Sequence, residues 1–348
     1  MKKILFAIVI VAASVVQPHA LQAQNFDNPG TYMTAISNAQ TEMNKKYMAY
    51  ISASAHSGQA KKIEKMRQLT LESITNSKFK IIDLPYYKGD NSLRKSSIDY
   101  VDLCYKVFNE DYAHIVNMEE IAEQSFDEME AYLLLREKTN EKIREAYANM
   151  DTAVKNFANK YNVKIIETKN ELDEKMETAS KINHYHNKVY LVFFKCNWQD
   201  AQLIKALEKK NLNNIEQSRN ALISYANEGL AAIDTLEEFQ GDHSLANVCR
   251  QALKIYKSIA ENDISKLTDF FLKEENFDKI KKSFELTDAS SRTKEVVNAY
   301  NKAVNEINSA VNLSNSTSEK SNKSRNQAVQ NWNDTEKSFL DAHMPYYN

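Results

Sequence analysis

Glycine and proline are scarce in this chain, which has five glycines and four prolines among its 348 residues. All-β folds and phosphate-binding loops consume glycine, because their tight turns require positive φ angles. The composition therefore argues against both classes. Long helices joined by few turns are the architecture that it favours.

Long apolar runs and blocks of basic residues are also missing. Beyond the N-terminal region, no stretch reaches the roughly 20 apolar residues of a membrane-spanning helix, so we expect no transmembrane segment in the mature chain. Lysines and arginines alternate with acids, and the formal net charge is −2. No basic block could follow a phosphate backbone, and nucleic acid is therefore not an expected partner.

Only three cysteines are present, Cys104, Cys196 and Cys249. In an oxidising compartment one disulfide is possible, with one thiol left over. Each cysteine lies within an apolar helical pattern, which favours three small buried residues instead. The sequence does not decide whether any two of them are joined.

Local motifs of catalysis and metal binding are missing as well. There is no Glu-x-x-His, His-Glu-x-x-His, Gly-x-Ser-x-Gly or glycine-rich phosphate loop. His184 and His186 form a close pair, but residues two apart on a helix diverge by about 200°. We predict no catalytic residue, no cofactor-binding residue, no metal ligand and no cofactor. A hydrolase whose site is assembled from separate elements is the weaker alternative to a non-enzymatic protein.

The N-terminus carries a targeting signal. Lys2 and Lys3 precede an apolar run over residues 4–16, and small residues follow up to Ala23. This pattern predicts a signal peptide over residues 1–23, cleaved to leave Gln24 at the N-terminus. We therefore expect a protein exported across a bacterial inner membrane, to the periplasm, the cell surface or the medium.

Apolar residues recur at helical spacing along most of the chain. Ile98, Val101, Tyr105 and Phe108 step by three and four, as on the buried face of a helix. No comparable segment alternates with period two, so strands are not expected. Seven tyrosines lie on such stripes and are predicted to pack in the core, with an aromatic groove as the alternative: Tyr47, Tyr105, Tyr112, Tyr147, Tyr190, Tyr256 and Tyr300.

The two halves of the chain share short sequences in the same order. Gly-Asp-Asn-Ser-Leu at residues 89–93 returns as Gly-Asp-His-Ser-Leu at residues 241–245, an offset of 152 (241 minus 89). Asn44 to Tyr47 resembles Asn187 to Tyr190, and Ala153-Val154 resembles Ala303-Val304. The pattern predicts an internal duplication.

These observations predict an all-α fold with two tandem four-helix-bundle-like repeats, elongated, and a short C-terminal helix. The predicted boundaries are residues 24–165 for the first repeat and 166–312 for the second. Residues 313–348 are predicted to form a polar linker and the C-terminal helix. The charged joint over residues 161–174 has no glycine or proline, so a continuous helix through it is expected.

The signal peptide, the duplicated halves, the two Gly-Asp-x-Ser-Leu turns and the ending Phe-Leu-Asp-Ala-His-Met-Pro at residues 339–345 carry a resemblance. Together they resemble a family of exported all-helical bacterial surface proteins with a duplicated bundle repeat, for which no activity is established. The resemblance implies fold and location, and it supplies no catalytic residues.

We therefore expect a binding or scaffold protein at the periplasm or cell surface. It would present helix faces, and the groove between its bundles, to a protein or glycan partner of the cell envelope. The alternative is a bundle-type carrier of a small hydrophobic ligand or a metal.

Overall fold

The computed structural model describes residues 7–9, 26–57, 59–111, 125–168 and 170–347. Most of the predicted signal peptide, Gly58 and Tyr112 lie outside the described residues. The described chain is all-α, as the sequence predicts. None of its helices is long and apolar enough to cross a bilayer.

The chain divides into two compact units, residues 1–185 with 340–348 and residues 186–339. The described helices of the first unit are α1 (Pro29–His56), α2 (Ala60–Ile82), α3 (Ser92–Lys106), α4 (Phe126–Lys160) and the start of α5 (Glu171–Glu208). A π-helical turn, Val107–Asp111, directly follows α3. Two three-residue strands, β1 (Ala7–Val9) and β2 (Ile166–Thr168), pair antiparallel. That pair departs from the prediction that strands are not expected.

The second unit holds most of α5 and four further helices. They are α6 (Leu212–Asp234), α7 (Ser244–Ser258), the π-turn Ile259–Asp263, α8 (Ile264–Leu286), a short 3-10 turn Ala289–Ser291, and α9 (Lys294–His343). Trp332 of α9 is buried and stacks on Phe193 of α5, with ring centroids 4.2 Å apart. The aromatic pair lies at the core of this unit.

Capping side chains set the starts of two helices of the first unit. The Asn28 side chain accepts a hydrogen bond from the Gly30 amide at 2.8 Å, and Pro29 occupies the first turn of α1. Ser125 and Glu128 form a capping box before α4: the Glu128 amide donates to Ser125 Oγ at 3.1 Å, and that hydroxyl donates to the Glu128 carboxylate at 2.9 Å.

The joint between the halves is not a continuous helix, and that prediction is wrong. α4 ends at Lys160, and Asn162 takes a left-handed conformation with φ 55°. The Val163 amide then donates to the Ala158 carbonyl at 2.8 Å, which closes the helix end in a Schellman motif. Asparagine supplies the left-handed residue here, so the absence of glycine did not prevent a break.

The polar C-terminal segment is not a linker followed by a short helix, and that prediction is also wrong. Residues 312–325 form the middle of α9, which is 50 residues long. One face of this stretch is buried, and its members recur every three or four residues: Ser314, Thr317, Ser321 and Arg325. The buried face of this part of α9 is therefore polar, whereas the prediction of helices rested on apolar residues at this spacing.

The two halves share local conformation at the offset of 152 residues. α2 and α6 are both 23 residues long, and α3 and α7 are both 15 residues long and run into five-residue π-turns. Gly89 and Gly241 have φ 82° and 84° in matching turns. In each turn an aspartate, Asp90 or Asp242, accepts a hydrogen bond from the amide two residues later.

Candidate functional site

A cavity of about 60 Å³ lies in the first unit, between α1, α4 and the first turn of α5. By this measure a water molecule needs roughly 10–15 Å³, so the space admits several waters or one small organic group. Six residues of its lining are apolar: Met33, Ile36, Leu93, Met150, Val154 and Leu172. The other eight are polar: Ser37, Gln40, Thr41, Asn44, Tyr147, Asp151, Asn170 and Asp173.

Asp173 is placed in this lining by the start of α5. The Asn170 side chain accepts a hydrogen bond from the Asp173 amide at 2.8 Å, which caps the helix and fixes its first turn. The residue is only 7% exposed. Its Oδ2 atom is buried and has no hydrogen-bond partner among the described residues. A buried carboxylate oxygen without a partner is costly, because the hydration it loses is not replaced.

The electrostatics of the cavity follow from this burial. Desolvation raises the pKa of Asp173 to about 6, from an ordinary 3.8. The other carboxylate in the lining, Asp151, is paired with Lys155 at 2.8 Å. No lysine or arginine belongs to the described lining. Asp173 is therefore a carboxyl group that ionises near neutral pH without a cation at hand.

The side-chain amide of one lining glutamine makes only a weak hydrogen bond. The Gln40 side-chain amide donates to the Met150 sulfur at 2.7 Å, and a thioether is a weak acceptor. A ligand with a better acceptor could take over this donor. The lining thus offers a carboxylate, amides and hydroxyls, groups that orient a bound molecule.

A second polar cluster lies in the second unit, beside its π-turn. Arg325 Nε donates to Asp200 Oδ2 at 2.7 Å, and both side chains are less than a tenth exposed. Ser321 donates to Asp263 Oδ2 at 3.0 Å. Burial raises the pKa of Asp200, and Arg325 lowers it. Lys266 Nζ lies 3.3 Å from Asp263 Oδ1, so each carboxylate of the cluster has a cation beside it. The cluster therefore links α9 to α5 and to the π-turn, and it presents no net charge to a ligand.

The histidine pair that the sequence singles out does not converge. His186 Nε2 lies 2.5 Å from the Glu336 carboxylate, whereas His184 is exposed. Among the described residues, no group of three or more histidine, cysteine, aspartate or glutamate side chains is placed to hold a metal ion.

The three cysteines are free and buried, as the apolar pattern around them favours. Burial raises the pKa of Cys104 and Cys196 to about 12, and it also raises that of Cys249. A thiol held in its protonated form is a poor nucleophile. These residues act as core side chains.

The tyrosine prediction holds only in part. Tyr256 is fully buried and donates to Asn197 Oδ1 at 2.8 Å, but Tyr105 is 39% exposed. Val101 and Cys104 are buried on α3, and Tyr105 lies just outside the stripe that they form, although it follows Val101 at a spacing of four. Five buried tyrosines of the first unit were not predicted: Tyr32, Tyr87, Tyr100, Tyr132 and Tyr185.

Comparison of the chain with family models, with curated proteins and with solved structures found no match. Sequence reasoning missed Asp173, since it is one of three acids in the first turn of α5, with Glu171 and Glu174. Acids are common at that place in any helix, and no local signal marks the one that folding buries.

Proposed function

We propose that this chain is an exported, non-enzymatic binding protein that takes up a small ligand in the Asp173 cavity of its first unit. The observation that carries the proposal is that Asp173, a residue of the cavity lining, has a buried Oδ2 with no hydrogen-bond partner among the described residues. A folded chain retains such an oxygen at a cost in stability. A ligand that donates a hydrogen bond to it would offset that cost.

The surroundings of Asp173 support binding more than catalysis. Of the two carboxylates in the lining, Asp151 is already paired with Lys155, so the cavity does not offer two free acids for acid–base work. The remaining polar groups, such as Gln40 and Asn44, are amides that orient a ligand. The mixed apolar and polar lining is typical of small-molecule sites.

Export and family membership belong to the same proposal. The signal peptide over residues 1–23 supports export to the periplasm, the cell surface or the medium. We also infer an internal duplication, supported by the equal lengths of α2 and α6, the matching turns at Gly89 and Gly241, and the paired π-turns. The family of exported helical surface proteins remains the proposed relationship.

Methionine methyl groups provide a direct test of ligand binding. Met33 and Met150 line the cavity, whereas Met48 is buried in the same unit and is not part of the lining. The mature chain with ¹³C-labelled methionine methyls is titrated with short-chain alcohols, ammonium ions and carboxylates. We expect the Met33 and Met150 signals to shift while Met48 stays in place. If no compound moves these two signals selectively, the proposed function is wrong.

A scaffold role is the second candidate, and it is favoured by a two-helix arm of the second unit, formed by residues 268–302. Between Thr268 and Lys302 no described residue is buried, and Leu272, Leu286 and Val296 are exposed. Phe284 and Tyr300 stack with centroids 4.2 Å apart and hold the arm together. Such a two-helix arm could contact a protein or glycan partner of the cell envelope.

Photo-crosslinking in the producing cell tests the scaffold role. A photoreactive residue at position 286 of the arm, where Leu286 is 79% exposed, is compared with one at position 134 of the first unit, where Leu134 is 50% exposed. A discrete adduct from position 286 alone supports the scaffold. No adduct from position 286, or equal adducts from both positions, speaks against it.

A further inference from the structure

We infer that the Asp173 cavity selects a small organic ammonium ion, whose charged head donates to Asp173 and whose short alkyl part contacts apolar side chains of the lining. This inference rests on the proposed function and adds the chemical class of the ligand. Three features of the cavity carry it: the free acceptor, the charge balance of the lining and its mixture of polar and apolar residues.

The first feature is the free acceptor. Asp173 Oδ2 has no hydrogen-bond donor among the described residues, while its own amide is already used by Asn170. Only a donor can satisfy this oxygen. A ligand carboxylate or phosphate has no donor when ionised and would add repulsion.

The second feature is the charge balance. Lys155 neutralises Asp151, and the described lining contains no lysine or arginine that could neutralise Asp173. A cation that enters therefore meets one negative charge that no lysine or arginine of the described lining neutralises. A neutral donor such as an alcohol also forms a charge-assisted hydrogen bond to the ionised Asp173, so the preference for a cation comes from the added attraction between opposite charges.

The third feature is the mixed composition of the lining. Met33, Ile36 and Leu172 offer aliphatic surface beside the polar residues. A bare or hydrated metal ion gains nothing from such surface, whereas an alkyl chain does. The described residues also provide no cluster of three metal-ligating acids, histidines or cysteines. An ammonium group on a short alkyl chain can contact both kinds of residue at once.

The test compares four probes by the same Met33 and Met150 methyl signals: n-butylammonium, n-butanol, n-butyrate and Mg²⁺. We expect n-butylammonium to bind at least about tenfold more tightly than n-butanol, and n-butyrate and Mg²⁺ to leave both signals unchanged. Asp173→Asn keeps the shape of the side chain and removes its charge, so it should abolish the preference for the ammonium ion. Asp151→Asn is the matched control and should retain that preference.

Failure of this inference is distinguishable from failure of the proposed function. Equal binding of n-butanol and n-butylammonium, or tighter binding of n-butyrate or Mg²⁺, overturns the ammonium assignment but leaves a working cavity. A preference that survives in Asp173→Asn, or is lost equally in Asp151→Asn, overturns the role of Asp173. If none of these probes, nor the wider set of short-chain compounds, shifts Met33 and Met150, the proposed function fails as well.

Discussion

The imidazole ring of His56 lies parallel to the phenol ring of Tyr346, with centroids 3.8 Å apart and an angle of 8° between the planes. Both ring nitrogens of His56 also face the C-terminal segment. Nδ1 lies 3.0 Å from an Asp341 carboxylate oxygen, and Nε2 lies 3.1 Å from the Met344 carbonyl oxygen. In the charged form both nitrogens donate, and both contacts are then made at once. These contacts of His56 therefore hold the C-terminal end of the chain against α1.

Replacing His56 by alanine should release this C-terminal segment. The change removes the stacking on Tyr346 and both polar contacts, so we expect carboxypeptidase to remove the last residues several-fold faster than in the parent chain. Mass spectrometry of timed digests measures the rate. His243→Ala is the control, because the ion pair of His243 with Glu238 is more than half exposed on both sides. Unchanged digestion of His56→Ala would show that the contacts of His56 do not hold the C-terminal segment.

Removing Arg325 should destabilise the chain strongly. Arg325→Met leaves Asp200 as a buried carboxylate without a cation, and breaking such a pair typically costs about 3–5 kcal/mol. The double change Arg325→Met with Asp200→Leu removes both charges and should recover most of that loss. Urea unfolding followed by circular dichroism measures the difference. Lys279→Met is the control, since its pair with Glu275 is largely exposed and should contribute about 0–1 kcal/mol.

A double variant as unstable as Arg325→Met alone would contradict this account. It would mean that the destabilisation comes from the loss of packing by the long arginine stem, and not from the stranded charge of Asp200.

Helix periodicity made the fold class predictable, and residues of unusual conformation or polarity limited the rest. The all-α class followed from apolar spacing and from the scarcity of glycine and proline. The break after α4 was missed because Asn162 takes the left-handed role usually filled by glycine. The buried face of α9 was missed because Ser321 and Arg325 are polar and pair only with distant residues.

The candidate site could not be predicted for a related reason. Asp173 shares the first turn of α5 with two other acids, and all three suit a helix N-terminus equally well in the sequence. Only the packing of α1 and α4 against that turn decides which of them loses its hydration. That information lies in contacts between residues far apart in the chain.

Because the turns at Gly89 and Gly241 match, replacing either glycine should destabilise the chain by a similar amount. Gly89 and Gly241 have φ 82° and 84°, and an added Cβ would meet no atom within 4 Å at either place. Alanine is therefore penalised by the backbone conformation alone, by about 1–2 kcal/mol. We expect similar losses for Gly89→Ala and Gly241→Ala in urea unfolding. Gly89→Asn should lose less, because asparagine tolerates the left-handed region; equal losses for Asn and Ala would contradict this explanation.

The proposed export predicts a defined N-terminus. When the full chain is expressed in a Gram-negative host, we expect periplasmic or extracellular protein that begins at Gln24, which intact-mass analysis and N-terminal sequencing detect. Cleavage there also removes strand β1 (Ala7–Val9). Ala23→Arg places a large charged residue at the cleavage site and should leave the longer precursor in the cells. Full-length protein in the cytoplasm of the parent strain would contradict the signal peptide.

The buried carboxyl of Asp173 predicts a pH-dependent stability of definite sign. Its pKa is raised to about 6, so between pH 4 and pH 6 the folded chain holds a proton that the unfolded chain has lost. This carboxyl should therefore lower the free energy of unfolding as pH rises through the window, by about 1–2 kcal/mol after allowance for partial hydration. Asp173→Asn has no such proton to lose, so it should gain that amount relative to the parent chain across the window and be more stable than the parent at pH 7.5. Thermal unfolding of both chains at a series of pH values measures the difference, with Asp151→Asn as the control that should follow the parent.

An ammonium ligand should reverse the trend, because it binds the ionised carboxylate and its affinity must rise over the same pH range. A parent chain whose stability rises between pH 4 and pH 6 as much as that of Asp173→Asn would show that Asp173 is not a desolvated acid.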